Sequence, residues 1–228
     1  MISYDIRSKG ETKMKKNPRR VYFFNPKGGV GKTTCATQTA VAIVANGLKV
    51  AFIDKDKQKS ATAYFATIAE KYRPQFISDE IEVSIPEDTD IIIVDCGAND
   101  DFIPPNDGVI VSPTSSTYLD LQVYRIVLRL AEKGYKVIKV INNFNMIRND
   151  DKGLLKQFGN CCVITANSAI RHAMKSGKSI WNSNKPGGTK AKNQFEYLLS
   201  CIAKGEAPEL TIEKLNEISD RDRKANKQ

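Results

Sequence analysis

Asn25-Pro26-Lys27-Gly28-Gly29-Val30-Gly31-Lys32-Thr33-Thr34 is the stretch on which the reading of this chain turns. It follows a short β-rich run, Val21-Tyr22-Phe23-Phe24-Asn25, and opens Thr33 to Asn46, where Ala and Val recur as in a packed helix and Gly47 supplies the stop. Glycines between a strand and a helix let backbone N–H groups turn inward on an anion, and the positive end of the helix points at the same place. Lys32 is positioned to reach the β- and γ-phosphates of a nucleotide, and the Thr33 hydroxyl to ligate Mg²⁺. The loop Gly28, Gly29, Val30, Gly31, Lys32, Thr33, Thr34 therefore reads as a phosphate cradle. The ordinary G-x-x-x-x-G-K-[ST] spacing fails at its first glycine, where Pro26 stands, and a second lysine, Lys27, enters the loop.

Outward from the loop, strands and helices alternate. Further strands are expected at Lys49–Ile53, Ile91–Val94, Gly108–Ser112, Lys136–Ile141 and Cys162–Ile164. Helices are expected over 60–71, Tyr118–Lys133, 167–176, 189–203 and, more weakly, 211–223. The core strands are unbroken apolar runs, as in a parallel sheet covered on both faces. The expectation is a single doubly wound α/β domain, a mostly parallel sheet with helices on both faces. Residues 1–20 read as a flexible basic arm, 21–205 as the domain, and 206–228 as a loosely attached helical extension.

Two further segments carry carboxylates at strand ends. Asp54-Lys55-Asp56-Lys57-Gln58-Lys59-Ser60 follows one strand; two carboxylates two residues apart beside a triphosphate can hold Mg²⁺ through water and orient an attacking water. The alternative is a solvated charge run. Ile91-Ile92-Ile93-Val94-Asp95 is an apolar strand that delivers Asp95 to the carboxyl edge of the sheet, where such a residue serves the metal of a bound nucleotide. There the alternative is a turn cap.

Charge is unevenly distributed along the 228 residues, whose formal net charge is +9. Residues 21–132 carry ten bases and fifteen acids, whereas residues 133–203 carry twelve bases and three acids. A basic half of this kind attracts a polyanion. Arg171, Lys175 and Lys178 would share one stripe of a helix spanning 167–178, and are the candidate DNA contacts; Lys185, Lys190 and Lys192 follow. The five cysteines include the adjacent pair Cys161-Cys162 but no C-x-x-C, which argues against a disulfide framework or zinc site and for a reducing compartment. No long apolar run or secretory leader is seen, so a cytoplasmic protein without a membrane span is expected. His172, the single histidine, supports no nucleophile system; Cys35 and Trp181 read as packing residues.

With these motifs in place, K-G-G-V-G-K-T-T, D-K-D-K-Q and I-I-I-V-D together resemble the deviant Walker A ATPases of the ParA/MinD family, most closely the short ParA-type partition ATPases. The resemblance runs from about Val21 to Ile202. It implies that Lys27 reaches across a dimer interface to the partner's nucleotide, so that Lys27, Lys32 and Asp56 are the catalytic set. It makes Asp56 the water-positioning residue and Asp54 the switch carboxylate near the metal, with Thr33, Asp54 and Asp95 as the metal group. Asn142 is the residue placed at the adenine; an Asn pair after a strand is otherwise a common turn. The chain departs from the family at Lys57, where proline is usual, and at Cys96-Gly97-Ala98-Asn99, which lacks the second switch's proline.

The resemblance implies an ATPase with ATP and Mg²⁺ as ligands, an ATP-dependent homodimer, non-specific DNA binding at the nucleoid, and a small centromere-binding adaptor that stimulates hydrolysis. Two alternatives remain at this point. A MinD-like ATPase would position cargo at a membrane, but the end of the chain has no Trp or Phe and balanced charges, a poor anchor. An ATP-dependent synthetase with the same loop would not need the basic half.

Overall fold

Among the described residues the strands are β1 (Arg19–Phe23), β2 (Val50–Asp54), β3 (Phe76–Ser78), β4 (Ile91–Asp95), β5 (Gly108–Thr114), β6 (Lys136–Phe144) and β7 (Cys162–Thr165). In the computed structural model, residues 17–80, 84–98, 102–182 and 187–220 are described, the side chains of 118–123 excepted. All seven strands pair in parallel in one sheet, in the order β3-β2-β4-β1-β5-β6-β7. The helices are α1 (Lys32–Ala45), α2 (Ser60–Thr67), α3 (Tyr118–Glu132), α4 (Asn149–Phe158), α5 (Ser168–Lys175), α6 (Gly188–Lys204) and α7 (Ile212–Ser219). The doubly wound α/β expectation holds.

The period-two geometry of a strand divides the core in two. Val21 and Phe23 of β1 and Ile91 and Ile93 of β4 pack with Ala36, Phe65, Ile170 and Phe195 from α1, α2, α5 and α6. Their neighbours Tyr22, Ile92 and Val94 point the other way, against Tyr124, Leu154 and Leu215 from α3, α4 and α7. Every residue of β2 and β4 is buried. Each buried Ile or Phe side chain contributes on the order of 2 kcal/mol, so the sheet's centre is the rigid part of the molecule.

That rigidity positions one edge. After β1 the chain runs outward to β2 and β3 and returns at β4, beside β1; from β4 it leaves for β5 on β1's other side. The crevice at such a reversal, beyond the strands' carboxyl ends, is where open α/β sheets take ligands. Register brings Asp54 opposite Asp95, and Phe23 opposite the same Asp95.

Several elements differ from the sequence expectation. β3 is a three-residue edge strand too short to show a pattern. α4 begins Asn149-Asp150-Asp151-Lys152-Gly153 and buries only Asp151, Leu154, Leu155 and Phe158, so its sequence reads as polar loop. α2 stops at Thr67, and a separate 3-10 turn covers Glu70–Tyr72. Arg19 and Arg20 belong to β1 and not to an arm; the Arg19 guanidinium donates to the carbonyls of Ile202 and Ala203 at 3.0 and 2.7 Å, at the end of α6. The stretch after Gly205 is docked: Leu210 N donates to Gly159 O at 2.9 Å, and Leu215 is buried. Residues 1–16 of the expected arm, Asn99, Lys185 and the helical expectation at 221–223 lie outside the described residues.

Candidate nucleotide site

Asn25, buried just past the end of β1, starts the loop. Its amide donates to Pro113 O at 2.7 Å on β5, and its Oδ1 accepts from Lys27 N at 2.9 Å, so one side chain ties the loop to the neighbouring strand. Gly29 and Gly31 have φ of 77° and 96°, the left-handed region that other residues enter at a cost. Gly31 has a second reason: a Cβ there would lie 2.1 Å from Asn142 Nδ2. The Asn142 amide donates to Val30 O at 2.9 Å, so Asn142 braces the loop from β6. Its neighbour Asn143 has φ 58° at a bulge between Asn142 and Phe144. Gly28 approaches the segment after β4, its Cβ position 3.6 Å from Ala98 Cβ.

α1 starts at Lys32 with no side chain capping its first amides and no acidic residue in its first turn. A helix end of this kind suits an anion. Lys32 is 7% exposed and its ammonium donates to Lys27 O at 2.9 Å, folded back on the loop it would share with phosphate. The Lys27 side chain is half-buried, without a hydrogen-bond or ion-pair partner among the described residues. Thr33 and Thr34 are half-buried at the same edge.

Asp95 is fully buried, and neither carboxylate oxygen completes a hydrogen bond, although the Thr33 hydroxyl stands close enough to act on it. Burial pushes its pKa up to about 7; the Thr33 side chain and the Lys32 charge pull the other way, and the charges of Asp54 and Asp56 add to the rise. An unpartnered buried carboxylate is costly unless a cation arrives. Asp54 is equally buried but hydrogen-bonded through both oxygens: Oδ2 accepts from Thr62 N and Thr62 Oγ1, both at 2.8 Å, and Oδ1 from Asp56 N at 3.3 Å. Asp56 is half-buried, its Oδ1 accepting from Gln58 N at 3.1 Å. Lys59, in the left-handed region at φ 51°, holds this loop by donating to Asp54 O at 2.8 Å.

Mg²⁺ suits these residues. The Thr33 hydroxyl and the orphaned Asp95 carboxylate are hard oxygen donors at one point. Among the described residues no cluster of three or more His, Cys, Asp or Glu forms a cage, and Mg²⁺ needs none, because it keeps waters and substrate phosphates as ligands.

Beyond β6 and β7 lies a cleft of about 280 Å³ lined by Phe144, Met146, Thr165, Ala166, Asn167 and Lys190. It begins two residues from Asn142, on the side of the loop away from the carboxylates. Its residues come from separate stretches of chain, and no local pattern marks them.

The basic candidates sit elsewhere. Arg171 and Lys175 are exposed one turn apart on α5; Lys178 is exposed but beyond the helix, which ends at Lys175, so the three do not form one helical stripe. Cys35 packs in the core, and burial pushes its thiol up to about 12. Trp181 packs near Phe195, ring centres 6.4 Å apart, and His172 is exposed.

A parallel sheet with a glycine loop between its central strand and the next helix, and a carboxylate ending the adjacent strand, defines a P-loop nucleotide-binding protein. The chain belongs to the CobQ/CobB/MinD/ParA nucleotide binding domain family, which matches residues 21–216. Solved structures that share the fold include the following three. A plasmid partition protein of Borrelia burgdorferi B31 bound to AMPPNP superposes with TM-score 0.61 at 18% identity, over 82% of this chain and 99% of that one. A variant of Cyanothece McdA in complex with ATP gives 0.61 at 14% identity, over 85% and 98%. The septum site-determining protein MinD of Pyrococcus horikoshii OT3 with Mg-ADP gives 0.57 at 16% identity, over 82% and 97%. No curated protein sequence matches the chain.

Proposed function

We propose that this protein is a Mg²⁺-dependent ATPase of DNA partition, in which ATP closes a homodimer that binds DNA without sequence preference and an adaptor at a centromere-like site triggers hydrolysis. The observation that carries the ATPase reading is the orphaned Asp95 carboxylate beneath a glycine loop with two lysines. In this reading Lys32 exchanges the Lys27 carbonyl for phosphate oxygens, while Gly28, Gly29, Val30, Gly31, Thr33 and Thr34 offer backbone N–H groups and hydroxyls. Thr33 and Asp95 would hold Mg²⁺, which would supply positive charge against the phosphates. Asp56 orients the attacking water. Lys27 reaches the nucleotide of a second copy.

Asp54 contributes by holding the Asp56 loop, since both its oxygens already have donors. The base occupies the cleft at Met146, Thr165 and Asn167, with Asn142 serving the loop between base and phosphates.

DNA partition is favoured over membrane positioning by two features. One is the exposed Arg171, Lys175 and Lys178 in a stretch, residues 133–203, with twelve bases and three acids. The other is α7, whose apolar residues are engaged in the fold: Leu215 is buried, and Ile212 and Ile218 pack against the same core. An anchor needs that face free. Among the described residues no helix is long and apolar enough to cross a membrane.

The test is DNA retention with and without ATP. Reversing Arg171 and Lys175 together to Glu is expected to abolish ATP-dependent DNA binding with ATP affinity retained. If deletion of residues 1–18 removes binding and the double reversal does not, the contact belongs to the N-terminal segment. ATP-dependent co-sedimentation with anionic liposomes, and none with DNA, would establish the membrane reading instead.

A further inference from the structure

We propose that Thr62 is a positioning residue for ATP hydrolysis, acting through Asp54 on Asp56; this rests on the reading of Asp56 as the group that orients the attacking water. Asp54 is fully buried at the end of β2, the rigid part of the sheet, and its two oxygens serve different partners. Oδ2 receives both the backbone N–H and the hydroxyl of Thr62 at 2.8 Å. Oδ1 receives the backbone N–H of Asp56 at 3.3 Å. The orientation of one carboxylate therefore sets the place of the Asp56 backbone, and Thr62 sets the orientation of that carboxylate.

The hydroxyl is the informative half of this contact. α2 spans only eight residues, Ser60–Thr67, and Thr62 N already gives the Asp54 carboxylate a backbone donor from its first turn. A second donor on the same oxygen adds little to the helix but restricts rotation of the carboxylate. Thr62 itself is exposed, so its side chain contributes nothing to the core. The charge-assisted bond from Thr62 Oγ1 to Asp54 Oδ2 has a clear geometric consequence at Asp56, two residues along the chain.

Thr62→Val removes the hydroxyl and keeps the backbone N–H and the branched shape. In the full-length protein with Mg-ATP, turnover is expected to fall about tenfold, the scale of one lost charge-assisted bond, with ATP affinity within about twofold of wild type. Thr62→Ser should restore turnover, and Thr62→Ala, a second removal of the hydroxyl, should match the Val variant. Unchanged turnover in both hydroxyl-free variants overturns the proposal. So does a loss of affinity and melting temperature in step with turnover, unrescued by Ser, which is the mark of a purely structural role. Asp56→Ala runs in parallel. If it hydrolyses ATP normally, the reading of Asp56 fails and the proposal with it; if it is inactive while Thr62→Val is normal, the proposal alone fails.

Discussion

At the carboxyl edge of the sheet Asp95 is buried with neither oxygen hydrogen-bonded, whereas at the opposite edge Asp90 and Asp107 both have donors. Asp107 accepts from the Tyr22 hydroxyl at 2.8 Å and pairs with Arg20 at 3.4 Å, and Asp90 accepts from Lys49 N at 2.9 Å. The second edge also holds the larger cavity, about 770 Å³ against about 280 Å³, with Arg19, Arg20, Lys136 and Lys204 in its wall. Volume and charge alone would direct attention there. The hydrogen bonds direct it to the other end, because an edge whose carboxylates are satisfied has no energetic need of a ligand. Strand direction gives the reason: the carboxyl ends converge on the glycine loop and on the start of α1, while the amino ends meet the far end of α6, whose carbonyls Arg19 already caps.

The contrast can be broken by substitution. Lys32→Ala is expected to weaken Mg-ATP binding about 100-fold or more by removing charge-assisted bonds to phosphate, read by titration calorimetry; retained affinity would remove the nucleotide from this edge.

Asp95→Asn tests the orphaned carboxylate. The folded-state pKa of about 7 lies above the ordinary carboxylate value, so the folded protein without nucleotide binds more protons than the unfolded chain between roughly pH 4 and 7. Its stability should therefore fall as pH rises through that window, by on the order of a few kcal/mol in total. Asn carries no charge to bury. The variant should melt several degrees higher at pH 8, show a flatter pH profile, and bind Mg-ATP more weakly. Equal melting profiles for the two proteins would mean that the carboxylate has found a partner.

Gly31→Ala should cost about tenfold in affinity through strain at φ 96°. Adding Asn142→Ala relieves only the contact at 2.1 Å, so recovery should be partial. The smallest effect is expected at the opposite edge. Asp107→Asn loosens a half-exposed ion pair and should change stability by about 1 kcal/mol or less, with ATP affinity unchanged; a loss of affinity would show that the edges communicate.

The sequence and the structure part company at identifiable residues. The glycine loop, Asp54, Asp56 and Asp95 stand out in the sequence as candidates because each is a short segment whose chemistry depends on its immediate neighbours. The buried strands were readable because a run such as Ile91-Ile92-Ile93-Val94 is apolar on both faces whatever lies beside it. α4 was not, since three apolar side chains justify it only once β6 is in place. Nor was the contact of Asn142 with Val30, separated by 112 residues, for which a strand-end asparagine carries no distinctive signal. Thr62 lies only eight residues from Asp54, but no sequence pattern shows that its hydroxyl meets that carboxylate.

By itself the amino-acid sequence determined that this chain is a doubly wound α/β protein with a phosphate loop of the two-lysine kind, because strand burial, glycine conformation and helix polarity are local properties that survive in the linear order. Only the tertiary structure decided which carboxylate is left without a donor, which is tied down, and where beside the loop a cleft opens. Those are properties of distance between segments far apart in sequence, and they exist only after the sheet has aligned the ends of β1, β2 and β4 and carried β6 and β7 alongside.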